Sequence, residues 1–161
     1  MTENIDEGLV FSLPLLSGEF GFGQLIARQD PIFYMVAYDV RSESPTIDEE
    51  RLRLARPVLM GNFFDVLIRK GRWEAVRRSP FPAVPFPCSV IQIGSKFYVE
   101  SWDRERRREA TPLDIAVLRP RANHGPIILE NALKAYFGLD PWKITFYPLK
   151  VENVARIANM F

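Results

Sequence analysis

Acid-base and nucleophilic chemistry at neutral pH most often uses histidine, cysteine or a pair of carboxylates, and this chain has one histidine, His124, and one cysteine, Cys88. A nucleophilic thiol would need His124 to activate it. Cys88 instead follows Pro87 at the start of an apolar segment, and His124 precedes Gly125-Pro126, where a helix is expected to begin. Cys88 therefore reads as a spectator thiol and His124 as part of a helix entry. One histidine and one cysteine cannot complete the usual tetrahedral zinc set, so no metal site is expected. Gly18, Gly21 and Gly23 do not form a phosphate cradle, which needs a strand, a glycine-rich turn and then a helix, whereas these glycines lie in strand-forming sequence. Gly21 and Gly23 are two apart and share a face, leaving room for a close-packed aromatic ring from a neighbouring strand. No cofactor is expected.

Carboxylates are more plentiful. Asp48, Glu49 and Glu50 fall in the first turn of an expected helix, where acidic side chains complement the helix dipole. Asp103, Glu105 and Glu109 alternate with Arg104, Arg106, Arg107 and Arg108, whose charges keep such acids ionised. For a small carboxylate-dependent enzyme, the alternative function, Asp103 or Glu100 near Trp102 is the best available acid. The arginine run could also serve a nucleic-acid-binding module, but acidic residues interrupt it. Twenty-one Lys and Arg against twenty Asp and Glu leave a net charge of +1, too little to steer the chain toward nucleic acid or an anionic membrane. Trp102, Asp103, Arg104, Arg106 and Arg107 instead combine an aromatic anchor with flanking charges, a mixture favoured in protein interfaces. They are the expected partner-binding residues, and no catalytic residue is assigned. Replacing Arg104 and Arg107 together with Glu is expected to abolish partner binding at little cost in stability, because exposed charges stabilise little.

The elements that position these residues are legible from pattern and punctuation. Leu9 to Leu16 and Glu19 to Ala27 flank Ser17-Gly18 as a β-hairpin, and Ile32 to Asp39 is apolar on both faces, as in a central strand. Thr46 and Glu49 are spaced as a capping box, which predicts a helix that stops near Ala55 because Pro57 disfavours helical geometry at Arg56. Val58 to Ile68 resumes strand character, with Gly61 at a bulge or bend and Lys70-Gly71-Arg72 as the next turn. Ser79 to Pro87, with four prolines, is a stiff connector whose Phe81, Val84 and Phe86 can pack against a sheet edge. Val90 to Ile93 and Lys96 to Trp102 flank Gly94-Ser95 in a two-residue hairpin suited to a type II′ turn. Pro126 and Gly138 bracket a helix that places Ile128, Leu129, Ala132, Leu133 and Tyr136 on one face, and Val151 to Phe161 repeats as a short amphipathic helix.

A chain of 161 residues that is 47% hydrophobic and 25% charged can bury one substantial core, so residues 1–161 are expected to form a single domain. The expected fold class is α+β: a twisted, mostly antiparallel, partly curled sheet of six to eight strands with two or three packed helices. A cytoplasmic setting is expected, since a lone cysteine forms no internal disulfide and no apolar run reaches the roughly 18 residues of a membrane helix. The acidic start, with Glu3, Asp6 and Glu7, lacks the basic region of a secretory leader.

Phe11-Ser12-Leu13-Pro14-Leu15 followed by Gly18-Glu19-Phe20-Gly21-Phe22-Gly23-Gln24-Leu25-Ile26 resembles the opening hairpin of the immunity protein 26 family of bacterial polymorphic toxin systems. The aromatic strand ending at Asp39, the capped helix, the second apolar strand and Gly71-Arg72-Trp73 follow in the same order, so the resemblance covers residues 9–137, with departures at Ser79 to Pro87 and after Gly138. It implies a cytoplasmic protein without enzymatic activity that binds a cognate toxin domain and blocks it. It supplies no catalytic residues.

Overall fold

A computed structural model describes residues 4–161, so Glu3 of the acidic start lies outside the described residues. In chain order the elements are β1 (Leu9–Pro14), β2 (Phe20–Gln29), β3 (Ile32–Ser42), α1 (Glu49–Leu54), β4 (Pro57–Phe64), α2 (Val66–Arg69), β5 (Glu74–Arg78), β6 (Ser89–Ile93), β7 (Lys96–Glu100), β8 (Arg107–Glu109), α3 (Pro112–Val117), β9 (Asn123–His124), α4 (Ile127–Tyr136) and α5 (Val151–Ala158). The fold is α+β and mostly antiparallel, as expected, although the sheets are open and the strands divide between a six-stranded and a three-stranded sheet. Two compact units result: the chain up to Pro82 with Asn123–Lys150, and Ala83–Ala122 with Val151–Phe161. The first crossing falls inside the proline-rich connector. Among the described residues no helix is long and apolar enough to cross a membrane.

The sheet of the first unit runs β5-β1-β2-β3-β4-β9, antiparallel except for the β4/β9 pair. Its interior strand β3 is buried continuously from Ile32 to Tyr38, which is why that segment lacks polar alternation. In the β1/β2 ladder Phe11 stands opposite Gly23, and its ring stacks on Trp73 at 4.9 Å and 4°. Only a residue without a side chain fits there: a Cβ on Gly23 would lie 2.5 Å from Phe11 Cζ and 2.8 Å from the Val36 carbonyl oxygen. Gly21 makes the equivalent space for Leu133 of α4, an aliphatic side chain where an aromatic was expected. Leu129, Ala132 and Leu133 carry α4 onto the core, while Tyr136 at the end of the expected apolar face is exposed.

One polar residue of α4 is fully buried. Glu130 accepts from Arg72 Nε (3.1 Å) and Nη2 (2.7 Å), from Trp73 Nε1 (3.1 Å) and from Lys134 Nζ (3.3 Å). Burial alone would push its carboxyl up, but these donors outweigh it and hold the group below its ordinary value. The Gly71-Arg72-Trp73 turn is thereby fastened to α4.

Several local expectations give way to tertiary context. Asp48, not Thr46, caps α1 by accepting from the Arg51 amide at 2.8 Å, and Thr46 bonds Ser44 instead. Strand β4 ends at Phe64 and Val66 to Ile68 turn into α2, where Asp65 accepts from Arg69 at 2.9 Å. Gly61 is no bulge; it pairs regularly with Met35 and admits Leu149, whose Cδ2 would lie 2.9 Å from a Cβ there. His124 belongs to β9 rather than to a helix entry. Its ring packs on Phe63 at 5.6 Å, and burial lowers its basicity.

The second unit is smaller. Its sheet runs β6-β7-β8, and Ile93 pairs with Lys96 across Gly94-Ser95. Gly94 has φ 62° and Ser95 does not share the positive sign, the pattern of a type II′ turn. Cys88, Val99 and Leu118 form its core, with Ile157, Met160 and Phe161 packed against them. Cys88 is buried and donates to the Ile157 carbonyl at 3.2 Å, and burial raises its thiol pKa, which suppresses the reactive thiolate. Helix α3, absent from the sequence-based expectation, has a complete capping box between Thr111 and Asp114. Asp114 also accepts from Arg108 Nη1 at 2.6 Å and Nη2 at 3.1 Å; these bonds and the Thr111 amide hold its carboxyl far below the usual range.

Candidate partner-binding site

The expected partner-binding residues lie in the second unit, where residues 101–106 join β7 to β8. The loop closes on itself. Ser101 donates its amide to the Arg106 carbonyl and accepts the Arg106 amide at its hydroxyl, both at 3.0 Å. The Arg104 amide reaches the Ser101 carbonyl at 3.0 Å, and Arg104 takes a left-handed φ of 65° that leaves its side chain exposed. Asp103 works within the loop: Ser101 Oγ donates to it at 2.6 Å and the Glu105 amide at 3.0 Å. The Ser101 hydroxyl first, then that amide, lower its carboxyl pKa. It is an ionised acceptor, with no device to hold the proton an acid catalyst would need.

Trp102 is 9% exposed, so it is a wall and not a projecting anchor. Its ring meets Phe86 at 5.0 Å and lies beneath the Arg121 guanidinium, which donates to the Trp102 carbonyl at 2.6 Å. Together with Phe86, Cys88, Asp103, Arg106 and Phe161, it lines a cavity of about 320 Å³.

The four arginines of the run have different fates. Arg107 donates to the nearly buried Glu100 at 2.7 Å, and Arg108 is committed to Asp114 and to the Met160 carbonyl. Arg106 lies over the Phe161 ring at 4.5 Å and makes no ion pair among the described residues, and the Arg104 guanidinium likewise has no hydrogen-bonding partner there. The pairing of Arg107 revises the expected cost of Arg107→Glu, because the substitution would press a second carboxylate against Glu100. Arg104 and Arg106 can be changed without breaking an ion pair seen here.

A second cavity, of about 290 Å³, belongs to the first unit and is lined by Tyr38, Leu52, Ala55, Phe81 and the flanking prolines. Phe81 is accordingly 42% exposed and does not pack flat against a sheet edge. Gln24 shapes this wall: it donates to the Gly8 carbonyl (3.1 Å) and the Ser79 carbonyl (2.7 Å) and accepts from Tyr38 Oη (2.5 Å). Sequence reading assigned Gln24 no role, though a lone amide in the apolar run of Phe20 to Ala27 is the signal of a buried polar bridge. The rim charges here are paired, Glu49 with Arg77 and Arg53 with Glu50.

Comparison with curated proteins and with solved structures finds no match. The model of one family, described as immunity protein 26, matches residues 6–96. This span starts slightly before the expected region and ends well short of residue 137, and it includes the proline-rich segment expected to depart from the family. It also stops before the Trp102 loop. Within it lie the Phe11 to Ile26 hairpin with its two close-packed glycines, the Gln24 bridge and the Gly71-Arg72-Trp73 turn, and with more than half its length matched the chain belongs to the immunity protein 26 family.

Proposed function

We propose that this protein neutralises a cognate polymorphic toxin domain in the bacterial cytoplasm by binding it directly and occluding it, with no catalysis and no cofactor of its own. The family match over residues 6–96 carries this reading. The surface proposed to meet the toxin is the loop of Trp102, Asp103, Arg104, Arg106 and Arg107. Support comes from Arg106, which lines an aromatic-walled cavity without an ion pair among the described residues, a composition suited to a binding hot spot. Neither nucleic acid nor membrane is a partner in this reading.

The test is to express the C-terminal domain encoded immediately upstream, alone and together with this protein. Rescue of growth and co-elution in gel filtration are expected. Unchanged toxicity with no complex would refute the proposal.

A further inference from the structure

We infer that the cavity walled by Phe86, Trp102 and Phe161 receives a carboxylate side chain of the toxin, recognised by Arg106. This inference rests on the immunity reading and specifies the chemistry of its site. Three observations converge on it. The Arg106 guanidinium is fixed over the Phe161 ring without an ion pair among the described residues, so its edge donors are preorganised for an incoming acceptor. Asp103, the acid lining the cavity, feels the Arg106 charge, but its Oδ1 is taken by the Ser101 hydroxyl and the Glu105 amide and it forms no ion pair with Arg106 among the described residues. Arg121, which burial and then the charge of Arg104 make less basic than usual, adds to the positive surroundings. Arg107 and Arg108 drop out, each being matched by its own carboxylate. The cation left without an ion pair at this cavity is therefore Arg106.

Size and lining select the class of anion. About 320 Å³ is at the small end of ligand pockets, enough for one or two side chains and too little for a polymer to enter. Aromatic walls favour the apolar stem of a carboxylate side chain, or an apolar neighbour, over a bare phosphate. A net charge of +1 supplies no long-range attraction for a nucleic-acid backbone.

The experiment follows resonances of the isotopically labelled protein while N-acetylphenylalanine, its uncharged amide and inorganic phosphate are added separately. The carboxylate should shift the Trp102 indole and the Ser101 and Cys88 amides, and the amide and phosphate should do so far less. Arg106→Gln should weaken carboxylate binding by about tenfold or more, the scale of a lost charge-assisted hydrogen bond, and Arg106→Lys should recover part of it. Equal responses to the carboxylate and its amide, or stronger ones to phosphate, would overturn the inference. The wild-type comparison decides this even if a variant fails to fold.

With the toxin domain, Arg106→Gln should lower affinity by a similar factor. A wild-type complex whose affinity is unchanged by Arg106→Gln would overturn the cavity assignment alone. Absence of any wild-type complex would remove the immunity reading, and the small-molecule comparison would still report on the cavity.

Discussion

Arg72 in the first unit and Arg106 in the second both sit beside aromatic rings, but Arg72 donates twice to Glu130 while Arg106 rests over Phe161 without an ion pair among the described residues. The surroundings differ in the same sense. Around Glu130, two cations and an indole N–H converge on one buried carboxylate, within a unit whose core includes Phe11, Trp73, Leu129 and Leu133. Around Arg106 the described core is the small cluster of Cys88, Val99 and Leu118 with a few partly buried neighbours. A charge whose partner is built into the fold serves the fold, because removing either member strands the other. A cation held in place without an ion pair keeps donors available to another molecule. The family match covers Arg72 and stops before both its partner Glu130 and Arg106.

The largest expected effect is in the first core. Phe11→Ala removes the ring that stacks on Trp73 and fills the space above Gly23, and should destabilise by about 4 kcal/mol in chemical denaturation. A loss below about 1 kcal/mol would mean that this packing is not what holds the hairpin. Glu130→Gln should follow at about 3 kcal/mol, since Arg72 keeps access to water while Trp73 and Lys134 lose their charged acceptor. Near-native stability of that variant would erase the contrast between the two units.

Acid should act on both units in one direction. Glu130 and Asp114 have folded pKa values below their unfolded ones, so the stability they supply is complete above about pH 4 to 5 and drains away as pH falls through the depressed values. Asp114→Asn should flatten this acid limb by about 1 kcal/mol, discounted for the water reaching Arg108, and a denaturation series at several pH values measures it. An unchanged acid limb would mean the Arg108 pair is not linked to folding. The smallest effect on stability is expected from Arg104→Gln with Arg106→Gln, within about 0.5 kcal/mol by thermal melting, while toxin binding is lost. Destabilisation as large as that of Glu130→Gln would make these arginines structural and dissolve the comparison.

Amide hydrogen exchange sharpens the contrast without substitution. Protection should be higher in β2 and β3, enclosed on both sides in the six-stranded sheet, than in β6 and β8 at the edges of the three-stranded one.

Local chemistry was readable where a short stretch contains both cause and consequence. The Phe11 to Ile26 hairpin, the spacing of Gly21 and Gly23, the Gly94 turn and the extent of α4 follow from alternation, punctuation and backbone conformation, forces that act over a few residues. The α3 capping box is equally local, contained within Thr111-Pro112-Leu113-Asp114. Long-range partners were not legible. Nothing near Glu130 announces that Arg72 and Trp73, more than fifty positions earlier, will surround it, nor that Gln24 will reach Ser79. Within the arginine run, sequence supplied four equivalent cations; Glu100, Asp114 and Phe161, brought close by strand pairing and packing, decided which were neutralised and which faced a cavity. The physical reason is that desolvation and ion pairing depend on distance in space, which the order of residues constrains only after the chain has folded.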